Sequence, residues 1–168
     1  TRFRNVTGVQ TCALPISLVV LTTAAGFYAG WRSPMDWLML FNTVAGTALV
    51  ASGAAAFNQL LERDYDARMR RTENRPLPSG RLSVETVMLV GGILSAGGLI
   101  YLATAVNLLT AVLGAITWIL YLWIYTPLKR ITTLNTAIGA IPGALPPLMG
   151  WTAARNEITP EEIGRAHV

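Results

Sequence analysis

Five apolar segments alternate with short polar stretches along the chain, at about residues 17–30, 37–61, 84–105, 108–125 and 134–151. A helix needs about 20 predominantly apolar residues to cross a bilayer, with a range near 17–25. The second to fifth segments meet that length, and the first meets it if its start is clipped. The pattern predicts an all-α fold, a polytopic membrane helix bundle with about five transmembrane helices.

Composition supports the membrane interpretation. Hydrophobic residues make up 52% of the chain and charged residues 13%, whereas soluble domains carry about 25% charged residues. A stack of buried soluble helices would therefore have too little polar surface to face water. We expect an integral membrane protein in contact with the lipid bilayer.

Both ends of the chain look foreign to the rest. VTGVQTCALPI at 6–16 resembles a translated sequencing adapter, and EIGRAHV at 162–168 resembles its reverse complement. We expect residues 1–16 and 162–168 to be adapter-like artefacts, and residues 17–161 to be the N-terminal part of a longer functional domain. A signal peptide, with two arginines before an apolar run, is the competing interpretation of the start.

The single Cys and the single His lie in these suspect ends, as Cys12 and His167. Without them, metal sites built on Cys or His and Cys–His catalysis are not expected.

Basic residues are distributed unevenly between the two sides of the predicted bundle. Six arginines lie between residues 63 and 81, and Lys129 and Arg130 follow the fourth segment, whereas the opposite loops hold only Arg32 and Arg155. The excess predicts that the two basic loops face the cytoplasm at a bacterial inner membrane, or the matrix at a mitochondrial inner membrane. The basic residues adjoin membrane spans without interleaved aromatic residues, so no nucleic-acid partner is expected.

Oxygen-bearing side chains gather where the second segment ends, in NQLLERDYDARMRR at 58–71. At 100° per residue, Asn58, Glu62 and Asp66 fall within about 80° of one another on a helix. Asp64 joins this stripe if the helix loosens near its end. The like charges of Glu62 and Asp66 repel each other, more strongly near a membrane, so we expect a compensating cation.

Mg²⁺ prefers oxygen ligands and takes one or two carboxylates together with substrate phosphates. The stripe of Asn58, Glu62, Asp66 and the weaker candidate Asp64 is therefore a candidate Mg²⁺ site. The competing interpretation is a juxtamembrane cap, in which ion pairs form four residues apart between Asp64 and Arg68 and between Asp66 and Arg70.

Cationic side chains near the stripe are candidate contacts to a diphosphate: Arg71, Arg75, Lys129 and Arg130. For each of them, a topology-setting charge at the membrane rim is the competing interpretation. Tyr121 and Tyr125 lie toward the same end and either line a cavity or belong to an interfacial aromatic belt.

The fifth segment, with NTAIGAIPGALPPLMGW at 135–151, contains Pro142, Pro146 and Pro147. Prolines break or bend a helix, which a membrane span tolerates only where the freed backbone faces protein or a cavity. Cavity lining and simple kinking both stay open. We interpret the frequent small residues of the segments mainly as helix packing.

The motif N58-x-x-x-E62-x-x-x-D66 resembles NxxxDxxxD, the first polar motif of the UbiA superfamily of intramembrane prenyltransferases. Two longer runs, NQLLERDYDARMRRTENRPLPSGRLS at 58–83 and YTPLKRITTLNTAIGAIPGALPPLMGW at 125–151, resemble the protoheme IX farnesyltransferase (haem O synthase) family within it. The resemblance covers residues 17–161. Glu62 stands where the superfamily motif usually has Asp. The family also has about nine spans and a second Asp-containing motif that this sequence does not reach.

The resemblance implies a reaction and its participants. A farnesyl group passes from farnesyl diphosphate to a vinyl group of haem B, giving haem O, with Mg²⁺ as cofactor and with Asn58, Glu62 and Asp66 as catalytic residues. A UbiA-type enzyme acting on a quinone precursor or a chlorophyll-like ring is the first alternative. A small transporter or channel subunit is the second. Because the second motif is missing, we expect this chain alone to be inactive.

Overall fold

The computed structural model describes residues 6–31, 34–70, 72–129 and 135–156, with side chains from residue 15 onward except at 135 and 136. All regular secondary structure in the described part is helical. Its elements are α1 (Val6–Gly30), α2 (Trp37–Leu61), α3 (Arg63–Asp66), α4 (Val84–Ala105), α5 (Leu108–Ile119), a π-helix (Leu120–Tyr125), α6 (Thr126–Leu128) and α7 (Asn135–Arg155).

Side-chain caps begin the helices α2, α4 and α5. Asp36 accepts a hydrogen bond from the backbone N–H of Met39 at 2.8 Å, and Ser83 and Asn107 do the same for residues three positions further on. Such caps satisfy backbone donors that the first helical turn leaves unpaired. The predicted bounds of α2 and α4 are confirmed at both ends.

The structure confirms a membrane helix bundle. Three described helices are long and apolar enough to cross a membrane, namely Trp37–Leu61, Val84–Ala105 and Leu108–Leu128, and a shorter apolar helix covers Pro15–Gly30. The fifth predicted segment forms α7, which does not meet the same criterion. None of the three prolines ends α7, so of the two effects expected from them, a break or a bend, the break does not occur.

The fourth predicted span is not a uniform α-helix. At its end the backbone widens into the π-helix, and the hydroxyl of Thr126 donates to the carbonyl oxygen of Tyr121 at 2.8 Å. Pro127 follows and has no N–H for the regular ladder. Segments of π-helix inside α-helices frequently mark functional sites.

Close backbone contacts hold two helix pairs, α2 with α4 and α1 with α7. A Cβ on Gly53 of α2 would lie 2.2 Å from the hydroxyl oxygen of Ser95 in α4, and a Cβ on Gly150 of α7 would lie 1.9 Å from the carbonyl oxygen of Thr23 in α1. Only glycine allows these approaches. The core between the pairs contains Val50, Leu102, Ala111, Leu113 and Met149. The packing interpretation of the small residues is confirmed at these crossings.

Candidate functional site

The end of α2 positions the first part of the candidate site. Glu62 N–H donates to the carbonyl oxygen of Asn58 at 3.0 Å, and Asp66 N–H donates to that of Glu62 at 2.8 Å, so helical spacing survives the end of α2. The Asn58 amide nitrogen donates to Oε2 of Glu62 at 3.1 Å. The Asn58 side-chain oxygen lies 3.0 Å from the Thr126 hydroxyl, which shares its one proton between this oxygen and the carbonyl of Tyr121. The structure therefore brings Asn58 and Glu62 together, as the motif predicts.

Asp66 lies in a second part of the site, made by the loop that follows α3. Nη1 of Arg75 contacts Oδ2 of Asp66 at 2.5 Å, and the two side chains are largely shielded from solvent, at 11% and 6% exposure. The hydroxyl of Thr72 donates to the backbone carbonyl of Asp66 at 3.0 Å and holds the loop against α3. A further donor of Arg75, its Nε, is buried without a hydrogen-bond partner.

Lys129 connects the two basic loops. Its ammonium forms an ion pair with Oε1 of Glu62 and lies 5.8 Å from the ring centroid of Tyr125. The ends of α2 and α6 therefore meet at one end of the bundle, which agrees with the prediction that both loops lie on the same side. Glu62 and Asp66 are both buried, at 8% and 4% exposure, and each has a basic partner from outside its own helix.

The local ion pairs of the competing interpretation are not formed. The four residues of these pairs all lie within the described part of the chain: Asp64, Arg68, Asp66 and Arg70. The ion pairs formed there are instead Arg75–Asp66 and Lys129–Glu62. The reason is that α3 ends at Asp66 and the chain continues in turns, so helical spacing is lost for the arginines that follow. Asp64 is exposed, away from the buried pair.

The oxygen atoms of these side chains can be compared with what a Mg²⁺ site needs. Within the described residues, no group of three or more Asp, Glu, His or Cys side chains lies close enough to hold a metal ion. A carboxylate nevertheless has about four lone-pair positions, so an oxygen that accepts one hydrogen bond can also contact a cation. Asn58, Glu62 and Asp66 supply hard oxygen donors that suit Mg²⁺ sharing its coordination with a phosphate. The residues present thus fit one side of such a site, and the metal assignment stays a prediction.

Two of the four candidate diphosphate contacts reach the site. Arg75 and Lys129 lie beside the carboxylates, whereas Arg71 and Arg130 lie outside the described residues. The role of all four toward a phosphate stays a prediction.

An apolar cavity of ≈ 270 Å³ lies between α1, α2, α5 with its π-helix, and α7. Tyr121 and Tyr125 line it, with ring centroids 5.8 Å apart and planes inclined by 22°. A Cβ on Gly139 would lie 2.7 Å from Cε2 of Tyr125, so glycine there makes room for the ring. Because Lys129 adjoins Tyr125 and Thr126 adjoins Asn58, this end of the cavity lies beside the carboxylates.

Pro142, Gly143 and Pro146 also line the cavity, which confirms the cavity-lining interpretation of the fifth segment for two of its three prolines. The small residues Ala51, Ala54 and Ala55 line it as well, so helix packing alone was too narrow an interpretation of the second segment.

Sequence reasoning missed Thr126 and Trp118. Thr126 bonds to Asn58, 68 positions earlier in the chain, and nothing local indicates that contact. Trp118 lines the cavity, donates from Nε1 to the Ser95 hydroxyl at 3.0 Å and packs edge-on against Phe57. Its place inside a span, away from the interfacial positions that Trp usually takes, was the available signal.

Comparison with known proteins identifies a family: residues 19–164 match the model of the UbiA prenyltransferase family. A protoheme IX farnesyltransferase of Solibacter usitatus is 44% identical over 153 residues, covering 86% of this chain and 52% of the relative. One from Sorangium cellulosum is 48% identical over 134 residues, covering 80% and 48%. The human mitochondrial protoheme IX farnesyltransferase is 43% identical over 142 residues, covering 84% and 32%.

The chain spans about half the length of the bacterial relatives it matches. No solved structure matches it.

Proposed function

The chain belongs to the UbiA prenyltransferase family, and we propose that it acts in transfer of a farnesyl group from farnesyl diphosphate to a vinyl group of haem B, giving haem O. The observation that carries the proposal is the placement of two buried carboxylates, each with a basic partner, at one end of an apolar cavity. The names of these relatives, protoheme IX farnesyltransferases, support the choice of farnesyl donor and haem acceptor.

At the polar end, the diphosphate of the donor would contact Arg75 and Lys129. The buried Nε of Arg75 has no acceptor, and a buried unpaired donor is costly unless a ligand satisfies it. A planar guanidinium offers several N–H groups to phosphate oxygens, while Lys129 adds a point charge. These cations stabilise the negative charge that the diphosphate gains when its bond to the farnesyl carbon breaks.

Asn58, Glu62 and Asp66 would hold Mg²⁺, and Asp64 is the weaker candidate because it is exposed. Bound Mg²⁺ would neutralise charge on the leaving diphosphate. Contacts to Glu62 and Thr126 fix the Asn58 amide, and a second lone pair of its oxygen would serve the ion. Lys129 and Arg75 form ion pairs with the two carboxylates and hold them in place.

In the cavity, the prenyl chain would contact small and apolar side chains that exclude water. When the carbon–oxygen bond of the donor breaks, its electron pair leaves with the diphosphate and an allylic cation develops. The rings of Tyr121 and Tyr125 face this end, and aromatic faces attract cations. A dry cavity favours attack by the vinyl carbon over attack by bulk water. Water then adds to the cation formed on the haem substituent, with loss of a proton.

Sidedness is part of the proposal. The concentration of basic residues at the site end supports a site facing the cytoplasm or the mitochondrial matrix. A cysteine placed at exposed Arg81 should react with a membrane-impermeant reagent from that side, and labelling from the opposite side would contradict the orientation.

Conversion of haem B to haem O by the full-length protein in lipid nanodiscs tests the function, with a quinone precursor as a rival acceptor. Asp66→Asn should lower farnesyl transfer by about 100-fold or more, because removing a preorganised charged group in a site commonly costs about 10²–10³. Asp64→Asn is the matched control, an exposed carboxylate two positions away, and should retain activity within about threefold. Full activity of Asp66→Asn, or prenylation of the quinone precursor alone, would contradict the proposal.

A further inference from the structure

One end of the cavity lies away from the carboxylates. The lining residues farthest from Tyr125 on three helices are Thr47 of α2, Gly114 of α5 and Met149 of α7. Met149 is 2% exposed and belongs both to the cavity wall and to the packed core. A Cβ on Gly114 would lie 3.2 Å from Cε of Met149. The tip of Met149 therefore rests over Gly114 and forms the floor of the cavity.

The backbone around this floor is held firmly. Next to Met149, a Cβ on Gly150 would lie 1.9 Å from a backbone oxygen of α1, so α7 has no room to move toward that helix. On the far side, the hydroxyls of Thr110 and Thr152 are 3.0 Å apart, and Asn107 donates to the carbonyl of Thr152 at 2.9 Å. A methionine tip is flexible and adapts to its neighbours. Side-chain size at the floor, not backbone movement, thus sets the depth of the cavity.

The depth of the cavity can be compared with the lengths of extended prenyl chains. Gly139 and Met149 are ten residues apart on α7, and Thr47 and Ala55 are eight apart on α2, so the cavity runs for about 12–15 Å at the helical rise of about 1.5 Å per residue. An extended chain advances about 3.3–3.6 Å for every three bonds. The 12-carbon main chain of a farnesyl group is then about 12–13 Å long, that of a geranyl group about 8 Å and that of a geranylgeranyl group about 17 Å.

We infer that Met149, seated over Gly114, is the specificity-determining residue that limits the donor to a prenyl chain of fifteen carbons. The inference rests on the proposed function. A twenty-carbon chain would have to displace the Met149 tip into the packed core, and a ten-carbon chain would leave the floor of the cavity without a contact. Neither Met149 nor Gly114 lies among the carboxylates and cations, so changes there alter the choice of donor and leave the diphosphate contacts in place.

In the test, the full-length protein in nanodiscs is supplied with haem B and an equimolar mixture of geranyl, farnesyl and geranylgeranyl diphosphates. The product ratios are measured by mass spectrometry. Met149→Ala should raise kcat/KM for the twenty-carbon donor relative to farnesyl diphosphate by about 10-fold or more, since even one methylene in an apolar pocket discriminates by about 10–200-fold. Gly114→Val should push the Met149 tip into the cavity and favour the ten-carbon donor by a similar factor.

Matched controls come from glycine and methionine residues away from the cavity. Gly97→Val changes a helical glycine whose Cβ would meet nothing within 4 Å, and Met88→Ala changes a methionine that is 53% exposed. Both should leave the donor ratios unchanged. If Gly114→Val does not fold, Met149→Ala decides the matter, since it removes atoms and adds none.

The possible outcomes distinguish a failure of the chain-length inference from a failure of the proposed function. If the unsubstituted protein farnesylates haem B and Met149→Ala leaves the donor ratios within twofold of it, the inference about chain length is overturned and the proposed function stands. If the unsubstituted protein transfers no prenyl group to haem B, the proposed function fails and the inference falls with it.

Discussion

Removing the basic partner of Asp66 should destabilise the protein more than any other single charge change at the site. Asp66 and Arg75 are 6% and 11% exposed, so neither side chain is well screened by solvent. Arg75→Met keeps most of the aliphatic packing and leaves a buried carboxylate without its cation. Breaking a buried pair in this way costs about 3–5 kcal/mol. At about 2–4 °C per kcal/mol for a protein of roughly this size, the melting temperature should fall by about 6–20 °C.

The same variant also examines the metal assignment. Thermal unfolding of the protein in nanodiscs would be followed first in EDTA and then at increasing Mg²⁺. If Asp66 is a Mg²⁺ ligand, the ion substitutes for the missing guanidinium, and part of the lost stability returns as Mg²⁺ rises. The double variant Asp66→Asn, Arg75→Met should be less destabilised than Arg75→Met alone, because it removes the buried charge as well as its partner.

Arg68→Met is the control, since Arg68 is exposed in the neighbouring turn and should change stability by less than about 0.5 kcal/mol. A melting temperature for Arg75→Met within 2 °C of the unsubstituted protein in EDTA would refute the reasoning from burial. A full loss of stability that Mg²⁺ does not reduce would instead count against Asp66 as a metal ligand.

Two further predictions concern packing in the bundle. The hydroxyl of Thr47 is buried without a hydrogen-bond partner, so Thr47→Val should leave thermal stability unchanged or raise it. Thr110→Val, which breaks the hydrogen bond to a neighbouring threonine at 3.0 Å, should cost about 1–3 kcal/mol. A lower melting temperature for Thr47→Val than for Thr110→Val would contradict this. Gly150→Ala places a methyl group 1.9 Å from a backbone oxygen of α1 and should cost about 3 kcal/mol or more by overpacking. Gly92→Ala, where the new methyl group would meet nothing within 4 Å, should be neutral or stabilising. Equal melting temperatures of the two variants would show that the α1–α7 crossing is not tight.

Some features of the fold follow from local sequence. The bounds of α2 and α4 could be predicted because each is an uninterrupted apolar run, and α4 starts at a capping serine. Helical periodicity predicted Asn58, Glu62 and Asp66 on one side, and backbone hydrogen bonds connect Asn58 to Glu62 and Glu62 to Asp66. These features need only nearest neighbours along the chain, so one sequence is sufficient to find them.

The partners of the carboxylates could not be predicted in the same way. Four arginines lie closer to Asp66 in sequence than Arg75 does, namely Arg63, Arg68, Arg70 and Arg71. The loop after α3 nevertheless folds back through Thr72 and presents Arg75 instead. Lys129 reaches Glu62 only because the ends of α2 and α6 meet. An ion pair depends on which charged groups share a poorly solvated space, and sequence distance does not report that.

The apolar runs, the capping residues and the spacing of the motif determined a membrane helix bundle with an acidic stripe where its second span ends. Tertiary structure alone decided which cations face those carboxylates, that Tyr121 and Tyr125 line a cavity, and that Met149 lies against Gly114 in the wall of that cavity. The physical reason is that helix formation and membrane insertion depend on the chain segment by segment, whereas a cavity exists only where several separately formed helices pack without filling the space between them.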